Sequence, residues 1–429
     1  MHLLLSFLLL FSLSYTVLSI PTISRPRREG RSFRVEQVKR SDYVAHGPAA
    51  LRNAYRKYGI ALTDFNGVDL EDFEPLEVKH SSAVAGDQDT APGSDQTGAV
   101  SATSVQSDVE FVSPVVVGGQ NVSLIFDTGS ADMWVMNTKL PESLLHGHTA
   151  FDPKKSRTFH DVEGGEFNIS YGDSSYAYGG VGKDTVSIGG ATVAEQTFGL
   201  PTSVSESFTE DTASNGLVGL GFSSINTMQP GPQKTFFDNV AASLDEPVLT
   251  ARLRSDGVGE YEFGRVDQRK YSGSLVNISV DASNGFWQFD AGQFAVGDGP
   301  LRKVTGRSIA IADTGTSLML ASSDLVQAYY REVGGALYAG SVGGYIYPCK
   351  TDLPNLSVAL GNKFKATIPG SFIHFAEVGK NKTTGEQLCF GGVQSNEGSD
   401  MQIFGDVFLK SLFVVFDQRG PSLGFASPT

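Results

Sequence analysis

From residue 108 onward, short apolar or alternating runs are broken every 8 to 12 residues or so by Gly, Asn and Asp, a pattern that predicts many short strands. Val115-Val116-Val117, then Gly118-Gly119-Gln120-Asn121, then Val122 to Phe126 reads as a hairpin whose second strand delivers Asp127. Ile309-Ala310-Ile311-Ala312 delivers Asp313 in the same manner. Phe167-Asn168-Ile169-Ser170-Tyr171 followed by Gly172-Asp173-Ser174 has the form of a hairpin arm and its turn, as a mobile lid requires. Helical signals are few. Residues 47 to 59 place Pro48 near a first turn, Leu51, Ala54, Tyr55 and Tyr58 at i, i+3, i+4 and i+7, and Gly59 after the end. Thr235 to Leu244 and Ser323 to Val333 are the other two, the latter with Ser322 or Ser323 available as N-cap. The expected class is all-β.

The strand-ending aspartates belong to a duplicated motif. Asp127-Thr128-Gly129-Ser130 recurs 186 residues later as Asp313-Thr314-Gly315-Thr316-Ser317, and Leu217-Val218-Gly219 is mirrored by Ile403-Phe404-Gly405. Each hydrophobic-hydrophobic-Gly element ends 92 residues after its aspartate. A lone Asp-Thr-Gly reads first as a surface turn; duplication at fixed spacing reverses that preference. In such a turn Gly129 or Gly315 lets backbone amides approach the carboxylate. Two turns face to face would put the aspartates at hydrogen-bond distance, where they share one proton and titrate as a pair. The pair can polarise a water for attack on a peptide carbonyl, with no metal, cofactor or covalent intermediate required. Thr128 and Thr314 can lock the turns together, and Ser130 and Thr316 can hydrogen-bond the carboxylates from outside.

Residues ahead of this body have a different character. Residues 1 to 19 have an apolar run and the small residues Val17 and Ser19 of a signal-peptide cleavage site. The alternative, a membrane anchor, is disfavoured by Ser6, Ser12 and Ser14 within a stretch short for a span. Residues 20 to 58 hold ten Lys or Arg against Glu29, Glu36 and Asp42, whereas residues 101 to 429 carry 22 basic and 35 acidic side chains. The basic block therefore points to the acidic body of its own chain as partner, not to nucleic acid or membrane. A Ser-, Gly- and Asp-rich stretch from 79 to 107 reads as a cleavable linker. The expected organisation is a signal peptide at 1–19, a propeptide at 20–97 with its end between 90 and 102, an N-terminal lobe at 98–272 and a C-terminal lobe at 273–429. Asn-X-Ser/Thr sequons start at Asn121, Asn168, Asn277, Asn355 and Asn381. Cys349 and Cys389 allow one intramolecular disulfide, and two cysteines without a histidine cluster argue against a structural zinc site.

With Ser130-Ala131-Asp132-Met133-Trp134-Val135, Tyr171-Gly172-Asp173, Phe222-Ser223-Ser224-Ile225-Asn226-Thr227 and Ile403-Phe404-Gly405-Asp406-Val407-Phe408-Leu409-Lys410, the chain resembles the pepsin-like aspartic endopeptidases, above all the secreted fungal penicillopepsin and aspergillopepsin type. The resemblance runs from about Glu110 to the C-terminus. It implies a bilobal fold of two pseudo-twofold-related β lobes with a central cleft, Asp127 and Asp313 as catalytic dyad, and Tyr171 on a flap with Gly172 and Asp173, supported by the Trp134 indole. It also implies a Cys349–Cys389 disulfide and an inhibitory propeptide that sets Lys57, beside Tyr58, on the dyad. A secreted monomeric acid endopeptidase, made as a zymogen, is expected. It would act on proteins and peptides with a preference for large apolar residues, Tyr171, Phe208, Leu217 and Ile403 contributing to the cleft. Ser174, where related enzymes often have Gly, would stiffen or redirect the flap tip. The alternatives are a catalytically silent peptide-binding protein on the same fold and a glycosidase, which needs its carboxylates farther apart.

Overall fold

The computed structural model describes residues 32–36, 38–39, 45–60, 73–75, 111–170, 176–212, 214–254 and 258–429, all within the compact unit 31–429. The proposed leader 1–19, the linker end at 90–102 and the hairpin tip Tyr171, Gly172 and Asp173 lie outside the described residues. Among the described residues, five sheets carry the fold. Among the described residues no helix is long and apolar enough to cross a membrane.

In the first half, an eight-stranded sheet holds Gln120–Asp127 between Phe111–Val117, antiparallel, and Gly216–Gly219, parallel. In the second, Ile309–Ala312 lies between Gln288–Asp290, antiparallel, and Gln402–Phe404, parallel. The registers coincide. Leu217 pairs with Ile125 and Val218 with Phe126, while Ile403 pairs with Ile311 and Phe404 with Ala312. The repeated spacing of 92 residues is thus one parallel strand pair built twice. Glycine ends the first partner strand and directly follows the second because the backbone passes too close for a side chain: a methyl on Gly219 would meet the Ala131 backbone, and one on Gly405 the Thr316 carbonyl.

A six-stranded sheet joins the halves. Val248–Arg252 pairs antiparallel with Phe413–Asp417, and at the edge Phe33–Glu36 from the N-terminal segment pairs with Glu260–Phe263. Arg34 is ion-paired with Glu260, a carboxylate that also faces Lys270 at 3.1 Å. The main hydrophobic core runs through both halves and takes in Leu51, Ala54 and Tyr55 of the N-terminal helix. A second cluster gathers Trp134, Phe167, Ile169 and Leu217.

Local structure departs from the sequence reading where turn chemistry decides. The first hairpin turns in two residues, Gly118 and Gly119, both at positive φ (54° and 81°), so Gln120 pairs with Val117 and Gln120 and Asn121 belong to the strand. A Gly-Gly pair adopts two consecutive positive φ angles without a β-carbon penalty, which shortens the loop to a primed turn. The N-terminal helix spans Gly47–Lys57, with Tyr58 at its C-terminus. The Thr235 helix is Phe236–Val240 followed by a 3-10 turn, Ala241–Ser243, with Thr235 accepting the Asp238 N–H. Ser323–Arg331 stops short of Val333 because the last amides, Glu332 and Val333, tighten onto the Tyr329 and Tyr330 carbonyls. Cys349 and Cys389 form the disulfide, 40 residues apart in sequence.

Candidate active site

Strands Gln120–Asp127 and Ile309–Ala312 end facing one another, and each Asp-Thr-Gly turn is clamped to the other by its threonine. The Thr128 N–H donates to Thr314 Oγ1 at 3.1 Å, and the Thr314 N–H to Thr128 Oγ1 at 3.0 Å. Each hydroxyl then donates across to the opposite strand, Thr128 to the Ala312 carbonyl at 2.8 Å and Thr314 to the Phe126 carbonyl at 2.7 Å. Four reciprocal bonds, all buried, fix the separation of the two carboxylates.

Asp127 and Asp313 are fully buried. The Gly129 N–H donates to Asp127 Oδ1 at 2.8 Å and the Gly315 N–H to Asp313 Oδ1 at 2.9 Å. The glycines are needed for a further reason: a methyl on Gly129 would collide with the Asp313 carboxylate, and one on Gly315 with that of Asp127. Ser130 Oγ donates to the outer oxygen of Asp127, Oδ2, at 2.6 Å. On the other side the outer oxygen of Asp313 accepts the Tyr58 hydroxyl at 2.6 Å. The buried Thr316 hydroxyl stands near enough to help hold Asp313 low, but makes no hydrogen bond of ordinary geometry among the described residues. Tyr58 thus takes the place that Ser130 takes opposite.

Lys57 closes the site. Its Nζ lies 2.6 Å from Asp127 Oδ1 and 2.9 Å from both oxygens of Asp313. Burial pushes Asp127 up to about 6, against the pull of Lys57 and helped by the Asp313 charge. Burial acts on Asp313 too, but the Lys57 ammonium and the hydrogen bonds on its carboxylate hold it at about 2. Burial likewise disfavours the Lys57 charge, yet the two carboxylates keep its ammonium above the usual lysine range. Burial and the same carboxylates drive the Tyr58 phenol well above its ordinary value, which leaves it a donor. In mild acid the cluster therefore holds one ammonium, one carboxylate and one shared proton.

Trp134 is buried with its ring edge-on to Phe208, 5.1 Å between centroids. Its indole N–H has no acceptor among the described residues. The hairpin expected to carry the lid is present up to its tip: Ser170 pairs with Tyr176 and Asn168 with Tyr178. Leu217 is 8% exposed and packs beneath that hairpin with Phe167 and Ile169. Ile403 is fully buried within its sheet and does not line a cleft; this apolar residue in the middle of its short strand serves the core. Two features escaped the sequence reading. Asp132, inside a quoted motif, is buried and accepts from Thr227. Glu397 meets the N-terminal helix through Tyr55, 342 positions away in sequence.

Two aspartates presented by duplicated, mutually clamped turns where two β-rich halves meet constitute the arrangement of an aspartic protease. A family model described as eukaryotic aspartyl protease matches residues 110–428, and the chain belongs to that family as an aspartic endopeptidase of the aspergillopepsin and penicillopepsin type. It is 62% identical over 429 residues, the full length of both chains, to a protein of Aspergillus fumigatus named as an aspergillopepsin A-like aspartic endopeptidase. It is 43% identical to aspergillopepsin-1 of Aspergillus oryzae over 92% of this chain and 93% of that one. With penicillopepsin-1 of Penicillium rubens the identity is 40%, over 97% and 96% respectively.

Proposed function

We propose that Asp127 and Asp313 are the catalytic pair of this endopeptidase and that residues 20–97 are an inhibitory propeptide, preceded by a signal peptide at 1–19. The observation that carries the reading is the Lys57 ammonium bridging both carboxylates. Its Nζ stands where a hydrolytic water would lie, within hydrogen-bond reach of both acids. Once Lys57 leaves, such a water gives a proton to the ionised aspartate as it attacks the peptide carbonyl. The protonated aspartate donates to the carbonyl oxygen, forming a neutral tetrahedral diol. Collapse of the diol returns a proton to the departing amine. The threonine clamp holds the acids in place, so little reorganisation accompanies the reaction.

Export is supported by the leader and by the Cys349–Cys389 disulfide, which suits an oxidising compartment. A preference for large apolar side chains is supported by the cluster of Trp134, Phe167, Ile169 and Leu217 beneath the hairpin arms. Digestion of denatured haemoglobin or casein by the acid-treated protein across pH 2.5 to 7, with and without pepstatin and against an Asp127→Asn control, tests the proposal. Acid-peaked, pepstatin-sensitive activity that the control lacks is the expected outcome. Complete inactivity after removal of the N-terminal segment would favour a silent peptide-binding protein, and full activity of the intact chain at neutral pH would remove the propeptide.

A further inference from the structure

The stretch from Ser205 to Asn215 runs from the hairpin expected to carry the lid to the strand beside the dyad. At its start the Ser205 N–H donates to the carbonyl of Tyr176, on the second arm of that hairpin, at 2.9 Å. At its end the Asn215 N–H donates to the Ser123 carbonyl at 2.8 Å, and Gly216–Gly219 then lies parallel to Gln120–Asp127. Between them the short helix Glu206–Glu210 carries Phe208, whose ring packs edge-on against Trp134 in the apolar cluster beneath the hairpin. Five helical residues are too few to hold themselves in water. Contacts from outside the stretch must fix where Phe208 stands.

His148 supplies two of them. Its Nδ1 lies 3.1 Å from the Ser214 carbonyl oxygen and its Nε2 3.2 Å from that of Thr209, so one imidazole holds the stretch after Phe208 at two points. The ring is carried by a braced turn. The His148 N–H donates to the Leu145 carbonyl at 3.0 Å, Leu144 and Leu145 pack on the same apolar cluster, and Phe151, three residues on, is fully buried. A methyl on Gly147 would meet Thr212, so the turn lies directly against the stretch. Both partners of the ring are acceptors. Neutral imidazole has one N–H and must turn a lone pair on the other carbonyl, whereas imidazolium donates to both. Among the described side chains, the titratable groups on these two elements are Glu142 and His146 before the ring and Glu206 and Asp211 on the stretch it holds; none is ion-paired with His148. Met133–Val135 carries no titratable side chain, and Gln120–Asp127 carries none before Asp127, four residues beyond Ser123.

We propose that His148 is a positioning residue of the protease: as imidazolium it clamps Phe208 into the apolar wall that receives a large substrate side chain, and it loosens that wall when it loses its proton. The inference rests on the proposed preference for large apolar residues. Both bonds are present while His148 is protonated, and one is lost as pH rises through its titration. The clamp is thus closed in acid, where the dyad also holds its shared proton. Wall and chemistry are ready over the same pH range.

Amide hydrogen exchange of the full chain, expressed as protection factors between pH 5 and 8, reads the clamp without catalysis. Protection over residues 206–216 should fall about 10-fold across that range. In His148→Gln, polar but with no charge to gain, it should be low at every pH. His148→Arg, a permanent cation with several N–H donors, should restore part of it and remove the pH dependence. Acid-activated enzyme at about pH 4.5 supplies the second readout, on peptides that differ only in Phe or Ala beside the scissile bond. His148→Gln should raise KM for the Phe peptide several-fold at nearly constant kcat and leave the Ala peptide unchanged. Cleavage of neither peptide would sink the proteolytic reading, and equal cleavage of both by the unaltered enzyme would sink the apolar preference. Protection that ignores pH in the unaltered chain, or a KM for the Phe peptide that His148→Gln leaves intact, would overturn the clamp alone.

Discussion

Replacing Asp132 with Asn should make the protein more stable near neutral pH while leaving its stability in acid nearly unchanged. The Asp132 side chain is 3% exposed, and among the described residues no cation is ion-paired with it. Its carboxylate accepts the Thr227 N–H at 3.1 and 3.2 Å and the Thr227 hydroxyl at 3.1 Å. Burial outweighs those donors and raises the group from 3.8 to about 6. The folded state therefore holds a proton that the unfolded chain releases near pH 4. Stability is complete below pH 4, declines between about 4 and 6, and above 6 the molecule carries a buried carboxylate charge. A displacement of about two pH units corresponds to about 3 kcal/mol at neutrality.

Asn is the informative substitution because its carbonyl keeps the Thr227 N–H and its amide can donate to Thr227 Oγ1, so only the titration is removed. The same loop is held independently by the Asn226 side-chain N–H on the Ala131 carbonyl at 3.1 Å and the Gly219 N–H on the Asp132 carbonyl at 2.9 Å. Thermal unfolding of the full chain and of Asp132→Asn, scanned at half-unit steps from pH 3.5 to 7.5, measures the difference. The variant should gain several degrees at pH 7 and nothing at pH 3.5. A gap between the two proteins that does not vary with pH would refute the burial of an uncompensated charge, and a variant less stable at pH 7 would refute it more directly.

Lys57→Met removes the ammonium from between two buried carboxylates, a loss of about 3 kcal/mol or more; under the proposed latency the intact chain should become cleavage-competent near neutral pH, read by hydrolysis of a quenched peptide. His46 Nδ1 accepts the Ala49 N–H at 3.1 Å and caps the N-terminal helix. Burial and the Arg52 charge hold His46 below its ordinary value, so the cap is complete above pH 6.5 and fails as pH falls through the folded-state value, when Nδ1 becomes a donor. His46→Asp, which caps at lower pH and suits a helix N-terminus, should delay processing of the intact chain in mild acid; an unaltered time course on gels would count against the cap as a release step. Cys349→Ser with Cys389→Ser opens a loop of 40 residues and should cost about 3 to 4 kcal/mol in the chain-entropy model, seen as a lower unfolding free energy extrapolated to water, with a steeper denaturant slope because the unfolded chain is no longer crosslinked.

What the chain disclosed before folding was whatever recurs or turns locally. The doubled Asp-Thr-Gly and its glycine partner 92 residues on were visible because a parallel strand pair leaves two short motifs at a fixed distance, and two copies remove coincidence. The helix at 47–57 showed its stripe and its Pro48. Contacts between distant single residues left no such mark. Phe33–Glu36 is an ordinary alternating tetrapeptide, and nothing in it names Glu260–Phe263 as the partner. Asp132 stood in a motif, but one carboxylate in sequence does not declare whether it is buried. Ile403 has the composition of a cleft residue and the position of a core one. Periodicity specifies which face is apolar, and only packing specifies what covers it.

The charges on the latch bear on the order in which it would open. Asp313, held at about 2, keeps its charge opposite Lys57 throughout mild acid, and a proton taken up by Asp127 near 6 relieves a buried like-charge pair without removing that attraction. Protonating the dyad is therefore a poor trigger between pH 3 and 6. His46, at the opposite end of the same helix, is held below its ordinary value by burial and the Arg52 charge, and its protonation turns Nδ1 from an acceptor of the Ala49 N–H into a donor. Under the proposed latency, protonation of His46 would fray the helix from Gly47, and the charge on Asp313 keeps Lys57 held throughout mild acid. The dyad would then be uncovered by loss of the helix that presents the lysine, with the ion pair among the last contacts to break.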